Sequence, residues 1–372
     1  MKKRVQFFPE LAGVRALAAL FVCFYHVVQE VPPLPESVNP WVRAVVNAVT
    51  HDYITVDIFF VLSGFLITAL LLRDQRGQHF FYNFYWRRAL RIFPVFSIGL
   101  LLFWHAVPGS GSYLIICLLL VANFNSRFGI PITSAIWTLC IEEQFYLLWP
   151  QALHRCKPKT IAWIAIALTV VSTVLRPLVL KLHGAMNVQY TFYRLDGLGF
   201  GSLAGCLYMA PEQLGSSIRR ILRVLNSQTL TCVAAAALLL TPIFSNFAYL
   251  ASLSITLTCY LTFRFIIAVM NGWTSHFIAS RALGFIASIS YGMYMYHSFV
   301  ILYVFRHYGP PNMMHPWILG LHTVEIFAVT IAISTASLFL LEKPVQYLRP
   351  YVLRRPANTH EALVTQVHPV SG

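Results

Sequence analysis

Charge is what this chain has least of. Only 11% of its 372 residues are Asp, Glu, Lys or Arg, and 13 of them are acidic; soluble globular domains lie near one-quarter charged. With 58% hydrophobic residues and a mean hydropathy of +0.65, the composition argues against a soluble enzyme and for an integral membrane protein. Metal and disulfide signatures are missing too. The seven cysteines form no Cys-x-x-Cys pair, and six (Cys23, Cys117, Cys140, Cys206, Cys232, Cys259) lie in apolar stretches. Neither a zinc site nor a disulfide framework is indicated, and no metal ligands are assigned. There is no soluble domain and no clear internal repeat. No small-residue cleavage site follows the first apolar run, so Lys2, Lys3 and Arg4 precede a retained helix rather than a removed signal peptide.

What the chain does have is a series of apolar runs. A spanning helix needs about 20 mainly apolar residues. Ten candidates follow: 10–30, 52–72, 90–107, 135–153, 160–181, 195–210, 229–244, 247–270, 284–305 and 317–341. A further run, 112–124, is too short to cross comfortably. The formal charge of +14 is concentrated in short basic clusters between the runs, which argues against a nucleic-acid partner and reads as a topology signal. If 112–124 does not cross, Lys2–Arg4, Arg73–Arg91, Arg155–Lys159, Arg219–Arg223 and Lys343–Arg355 all fall on one side, the inside. The expected fold is therefore an all-α integral membrane protein of about ten transmembrane helices. Both termini are cytoplasmic, and one short re-entrant or outer-surface apolar segment is present. Residues 8–348 form the membrane domain, and 356–372 read as a disordered cytoplasmic tail. The opposite face carries loops 31–51, 182–194 and 306–316, rich in Pro, Asn, His and aromatics such as Trp41.

Ionisable residues inside such runs are costly and face a bundle interior or a wet cavity. Arg15 and His26 are eleven positions apart on the first run. Helical geometry puts them within about 20° of one face and roughly 16 Å apart along the axis. They read either as a snorkelling Arg with an interhelical His, or as parts of a site. Asp57 lies near the outer end of the second run, ahead of Ser63-Gly64, where Gly64 is an ordinary packing device. Arg88 and Arg91, three apart, can grip one phosphate or diphosphate, or simply anchor to anionic lipid. Glu142 and Glu143 point about 100° apart; at least one is expected to pair with an Arg or His or to be carried as the neutral acid. Tyr146 follows on the same run. Arg194 and Asp196 open a glycine-rich span and can form ion pairs. Tyr291 and His297 sit in a Tyr-rich run, where a lone His is more often a structural hydrogen bonder.

Taken in this order, these elements resemble the integral-membrane acyltransferase 3 family, whose members commonly O-acetylate glycans. The resemblance covers about residues 8–348. It rests on Arg15 followed by ten residues and then His26, the run Phe-Phe-Val-Leu-Ser-Gly-Phe-Leu-Ile at 59–67, and Arg88-x-x-Arg91 with Ile92 and Pro94. Further on come Trp137 with Glu142-Glu143-Gln-Phe-Tyr, Arg194-x-Asp196-Gly, Ser290-Tyr291 with His297, and Glu342-Lys-Pro344. Thr138 and Cys140 stand where the family usually has serines, so neither is assigned as a nucleophile. The fused extracytoplasmic esterase-like domain of some relatives is not matched, so final transfer is expected to need this membrane domain alone or a separate partner.

The resemblance implies an O-acyltransferase of a bacterial inner or plasma membrane, with acyl-CoA, most often acetyl-CoA, as cytoplasmic co-substrate and no permanently bound cofactor. Arg88 and Arg91 would hold CoA phosphates, and Arg15 would take a further phosphate or polarise a carbonyl. His26 would act as general base or itself accept the acyl group. Glu142 would orient His26 or pair with Arg15. Asp57, Ser63, Glu143, Tyr146, Arg194, Asp196, Tyr291 and His297 would support. The implied partners are a carbohydrate-containing acceptor, membrane lipid and glycan-assembly proteins. A polysaccharide, a lipid-linked sugar and a glycosylated small molecule all fit as acceptor. A secondary transporter or flippase has the same span count and intramembrane charges. A non-catalytic scaffold would leave Arg15, His26, Asp57 and the Glu pair without a reason for their cost.

Overall fold

The computed structural model describes residues 8–30, 53–75, 77–106, 111–127, 135–183, 189–240, 248–309 and 316–354. The expected tail 356–372 and loop 31–51, with Trp41, lie outside the described residues, as do parts of loops 182–194 and 306–316.

Every regular element among the described residues is helical. A lipid core offers backbone groups no water, so an apolar run must satisfy its own N–H and C=O groups, and the helix does so. The elements are α1 (Pro9–Gln29), α2 (Tyr53–Asp74), α3 (Phe80–Ala106), α4 (Gly111–Leu118), α5 (Ala135–Arg155) and α6 (Pro158–His183). They continue as α7 (Leu195–Met209), α8 (Gly215–Leu225), α9 (Gln228–Leu240), α10 (Ala248–Met270), α11 (Arg281–Tyr308) and α12 (Pro316–Ser337). α12 runs on through a π-helical turn, Leu338–Glu342, into the short α13 (Lys343–Tyr347). Local chemistry sets the starts: Pro9 opens α1 where a missing N–H costs nothing, and the Ser280 hydroxyl caps α11 by accepting from the Leu283 N–H.

Each of the ten expected spans coincides with a helix, but the helices are not alike. Among the described residues seven are long and apolar enough to cross a membrane, or eight if the pair α8 and α9, bent by 52°, counts as one span. α5 has the length, but its two glutamates break the apolar run. α7 has 15 residues, about 22 Å of helix against a hydrocarbon core of about 30 Å. It needs no lipid-matched length because other helices enclose it: twelve of those residues are buried, from Asp196 to Tyr208. Within 112–124, α4 has eight residues and is too short to cross. The chain then reverses through Leu120, at φ 59°, into a 3₁₀ turn at Ala122–Arg127.

Packing is tightest between α2 and α7. A Cβ on Gly64 would come within 2.4 Å of the Leu198 carbonyl oxygen, and one on Gly201 within 2.0 Å of the Val61 carbonyl oxygen. Small residues here let the two backbones touch, which substitutes for a hydrophobic driving force inside lipid. α6 and α10 complete this group around Phe60, Phe65, Leu198 and Phe263. A second group packs α1, α11 and α12 around Cys23, Val27, Met293 and Val300. The outer faces stay apolar and exposed, as at Leu147, Leu148, Val171, Val174, Leu239 and Val324. Such a surface belongs against lipid. The site lies where the two groups meet.

Candidate active site

A cavity of about 430 Å³ is enclosed by α1, α2, α3, α5 and α11. Its lining includes Phe8 and Gly284, beside the starts of α1 and α11, and the hydrogen-bonded pair Thr138 and Tyr294. Phe59, Leu62, Leu66 and Leu139 supply apolar walls. Arg15, Arg88 and Arg91 project into this space, together with Ser63, Glu142, Tyr146 and Tyr291. The fold thus brings together seven of the residues singled out in the sequence, from five helices.

The polar groups are tied to one another on one wall. The Tyr146 hydroxyl donates to a Glu142 carboxylate oxygen at 3.3 Å and also hydrogen-bonds the Ser63 hydroxyl. The Arg88 guanidinium lies over the Tyr146 ring, 4.3 Å from its centroid, a cation–π contact that leaves its N–H groups available. Tyr291 donates to the Ile92 carbonyl at 3.2 Å, fastening α11 to α3 beside Arg91. The guanidiniums themselves stay uncommitted. Among the described residues no carboxylate lies within ion-pair distance of Arg15, Arg88 or Arg91. The Arg15 Nε is buried with no hydrogen-bond partner. Three cations beside apolar walls, with the Glu142 carboxylate in electrostatic range of Arg15 and Arg88, can hold an anionic group whose charge outweighs that carboxylate.

His26 is elsewhere. It does not line the cavity; its Nδ1 is 3.0 Å from the Nε2 of His297, and both rings are buried. The His297 Nδ1 in turn lies 2.9 Å from the Met293 carbonyl oxygen. Tyr294 touches both places, since it lines the cavity and its ring centroid is 6.0 Å from that of His297. Its hydroxyl hydrogen-bonds the Thr138 hydroxyl at 2.6 Å. Glu142 is held by Tyr146 and makes no hydrogen bond to His26. The partner that orients His26 is His297, not the carboxylate.

Asp57, Arg194 and Asp196 form a third place. Arg194 Nη1 donates to both Asp57 carboxylate oxygens, at 2.8 and 3.0 Å. Asp196 is paired not with Arg194 but with Arg176, at 2.6 Å, and accepts further from Thr256 and the Gly197 N–H. Arg176 also donates to Thr256 and to the Tyr193 carbonyl. All four charged side chains are at most 1% exposed. Glu143 joins none of these groups, and its Oε1 is buried without a partner. Among the described residues no group of three His, Cys, Asp or Glu side chains is arranged to hold a metal.

Three participants escaped the residue-by-residue reading. Arg176 carries a charge in the middle of an apolar run, which was signal enough. Tyr294 is one tyrosine among several in its run, and only its position distinguishes it. Glu342 stood in a recognised motif without a role. It is buried at the end of the π-helical turn with Oε1 unpartnered, within electrostatic range of Arg91 and Arg15. π-helical turns concentrate at functional sites.

The sequence profile of the acyltransferase 3 family, described as an acyltransferase domain, matches residues 8–339. The chain belongs to this family. Within the acyltransferase domain so defined lie all three places, the cavity, the histidine pair and the ion cluster; only Glu342 falls just beyond it. Among curated relatives, O-acetyltransferase OatA of Staphylococcus aureus (strain NCTC 8325) is 25% identical over 334 residues, covering 82% of this chain and 52% of its own. A Bacillus subtilis (strain 168) relative named "Putative peptidoglycan O-acetyltransferase YrhL" is 27% identical over 382 residues, covering 92% of this chain and 55% of its own. The chain therefore spans about half the length of the curated relatives it matches. No solved structure matches it.

Proposed function

We propose that this acyltransferase domain moves an acyl group, most often acetyl, from acyl-CoA on the cytoplasmic side to a hydroxyl of a carbohydrate-containing acceptor. The observation that carries the reading is the cavity: three guanidiniums line it together with apolar side chains, and among the described residues none has a carboxylate within ion-pair distance. In this reading both termini face the cytoplasm of a bacterial plasma membrane. The donor enters beside Phe8 and Gly284, its phosphates meet Arg15, Arg88 and Arg91, and its thioester arm extends toward Tyr294. The relatives' names support O-acetylation, and one of them names peptidoglycan as its substrate class.

Balanced chemistry needs one proton acceptor. The acceptor oxygen attacks the thioester carbonyl, the C–S bond breaks, and the hydroxyl proton leaves to His26 Nε2. That proton then passes to the departing thiolate, giving the ester and free CoA thiol. His26 lies roughly 16 Å beyond Arg15 along α1, so donor phosphates and base occupy opposite ends of one path. Tyr294 lines the cavity and lies beside His297, the base's partner on α11.

The test is thiol release from acetyl-CoA by the purified protein in lipid nanodiscs with a glycan acceptor, alongside Arg88→Ala and Arg91→Ala. Release that needs the acceptor and whose KM rises in both variants supports the reading. No release above background with any acceptor overturns it in favour of a transporter.

A further inference from the structure

We infer that His297 is a positioning residue that fixes His26 as its Nδ1–H tautomer, so that the free lone pair on His26 lies on Nε2. The inference rests on the proposed role of His26 and extends it. The argument is one of donors and acceptors. A carbonyl oxygen only accepts, so the 2.9 Å contact from His297 Nδ1 to the Met293 carbonyl requires a proton on that Nδ1. In the neutral ring His297 Nε2 is then an acceptor. The facing atom at 3.0 Å, His26 Nδ1, must supply the proton. The Ser298 hydroxyl, 3.3 Å from the same His297 Nε2, also has a proton to donate and does not disturb this order. The chain of bonds ends at His26 Nε2, which is buried with no hydrogen-bond partner. A buried polar atom left unpaired is expensive and calls for a reason such as a catalytic role, and an unprotonated Nε2 is the one ring atom here able to take a proton.

The backbone anchors the series. Met293 and His297 are one turn apart on α11, so the carbonyl that dictates the first proton cannot move independently of the ring it meets. α1 and α11 pack along their length, so the His26 ring is held against that fixed reference, 4.9 Å between ring centroids. When Nε2 takes the acceptor proton, the Nδ1–H is polarised toward His297 Nε2, and the new charge is shared between two rings instead of resting on one. A second histidine thus does here what a carboxylate does beside other catalytic histidines.

The experiment combines nitrogen NMR of the wild-type protein, labelled with [15N]histidine and reconstituted in lipid, with kinetics of His297→Gln and His297→Leu. His26→Ala and His297→Leu spectra assign the signals. Expected in the wild type is a protonated Nδ1 and an unprotonated Nε2 on His26. Gln keeps an acceptor facing His26 Nδ1 and retains most of kcat. Leu removes it, shifts His26 to the Nε2–H tautomer, and lowers kcat about 10²-fold or more at unchanged KM for acyl-CoA. A wild-type His26 protonated on Nε2 overturns the inference whether or not the variants fold. So does a Leu variant that keeps both tautomer and kcat. If the tautomer is as stated but His26→Ala retains full transfer, the proposed role of His26 fails while the hydrogen-bond order stands.

Discussion

The charges around Asp57 and those around Arg15 are both enclosed by helices, yet they are treated in opposite ways. At Asp57 each carboxylate meets a guanidinium at 2.6–2.8 Å, and Thr256, the Tyr193 carbonyl and the Gly197 N–H take up further valences. Around Arg15 the guanidiniums face a cavity, and Arg15 Nε and Glu342 Oε1 are left without partners. Desolvating a charge without compensation costs several kcal/mol, so a fold tolerates it only where something else arrives to compensate. Pairing of each carboxylate with a guanidinium separates the Asp57 cluster from the charges around Arg15. Burial and the satisfaction of every N–H do not, since Arg176 Nε is also buried without a hydrogen-bond partner among the described residues.

Four substitutions sharpen or break that contrast. The largest effect is expected from His26→Ala, which should lower acyl transfer about 10²–10⁴-fold with membrane insertion intact; normal acylation would remove His26 from the chemistry. Next is Asp57→Ala, which strands Arg194 in a closed interior. It should cost about 3–5 kcal/mol of stability, seen as a lowered unfolding temperature in detergent, with KM for acyl-CoA unmoved in whatever protein remains folded. Third, Arg91→Ala should raise KM for acyl-CoA about tenfold, or about 1.4 kcal/mol, without lowering the unfolding temperature. An acyl-pantetheine donor lacking phosphates should not register the change. If Asp57→Ala raised KM and Arg91→Ala lowered stability, the two places would have to exchange roles. The smallest effect is expected at Glu143, whose Oε1 has no partner to lose. Glu143→Gln replaces that buried acid with a neutral group and should leave the unfolding temperature level or slightly raised.

The amino-acid pattern carried more of the fold than of the site's wiring. Apolar runs of near-spanning length found every long helix, because lipid leaves the backbone no alternative. The run at 112–124 reads as too short to cross, and its helix has eight residues. Lengths were less legible. α7 fell short of a span because helices, not lipid, surround it, and hydropathy does not distinguish those two apolar environments. At the site, the helical repeat put Arg88 beside Arg91, but spacing does not say which helix faces which. Arg194 and Asp196 looked like each other's partners and are divided between Asp57 and Arg176. Arg194 is the cap residue before α7 and Asp196 lies in its first turn, so the two side chains leave the backbone in different directions and face different neighbours.

Composition by itself determined that this is a membrane-embedded helical protein, since so few charges and so much apolar surface admit no other solvent. The motif series determined its family. Only the tertiary structure decided that Arg15 and His26, on one face of one helix, belong to different chemical surroundings. A helix fixes the direction in which side chains point and their spacing; what they meet depends on which helices pack against each turn. At Arg15 those are α2, α3, α5 and α11, which stand apart around a cavity, and at His26 it is α11, close enough for His297 to reach its ring.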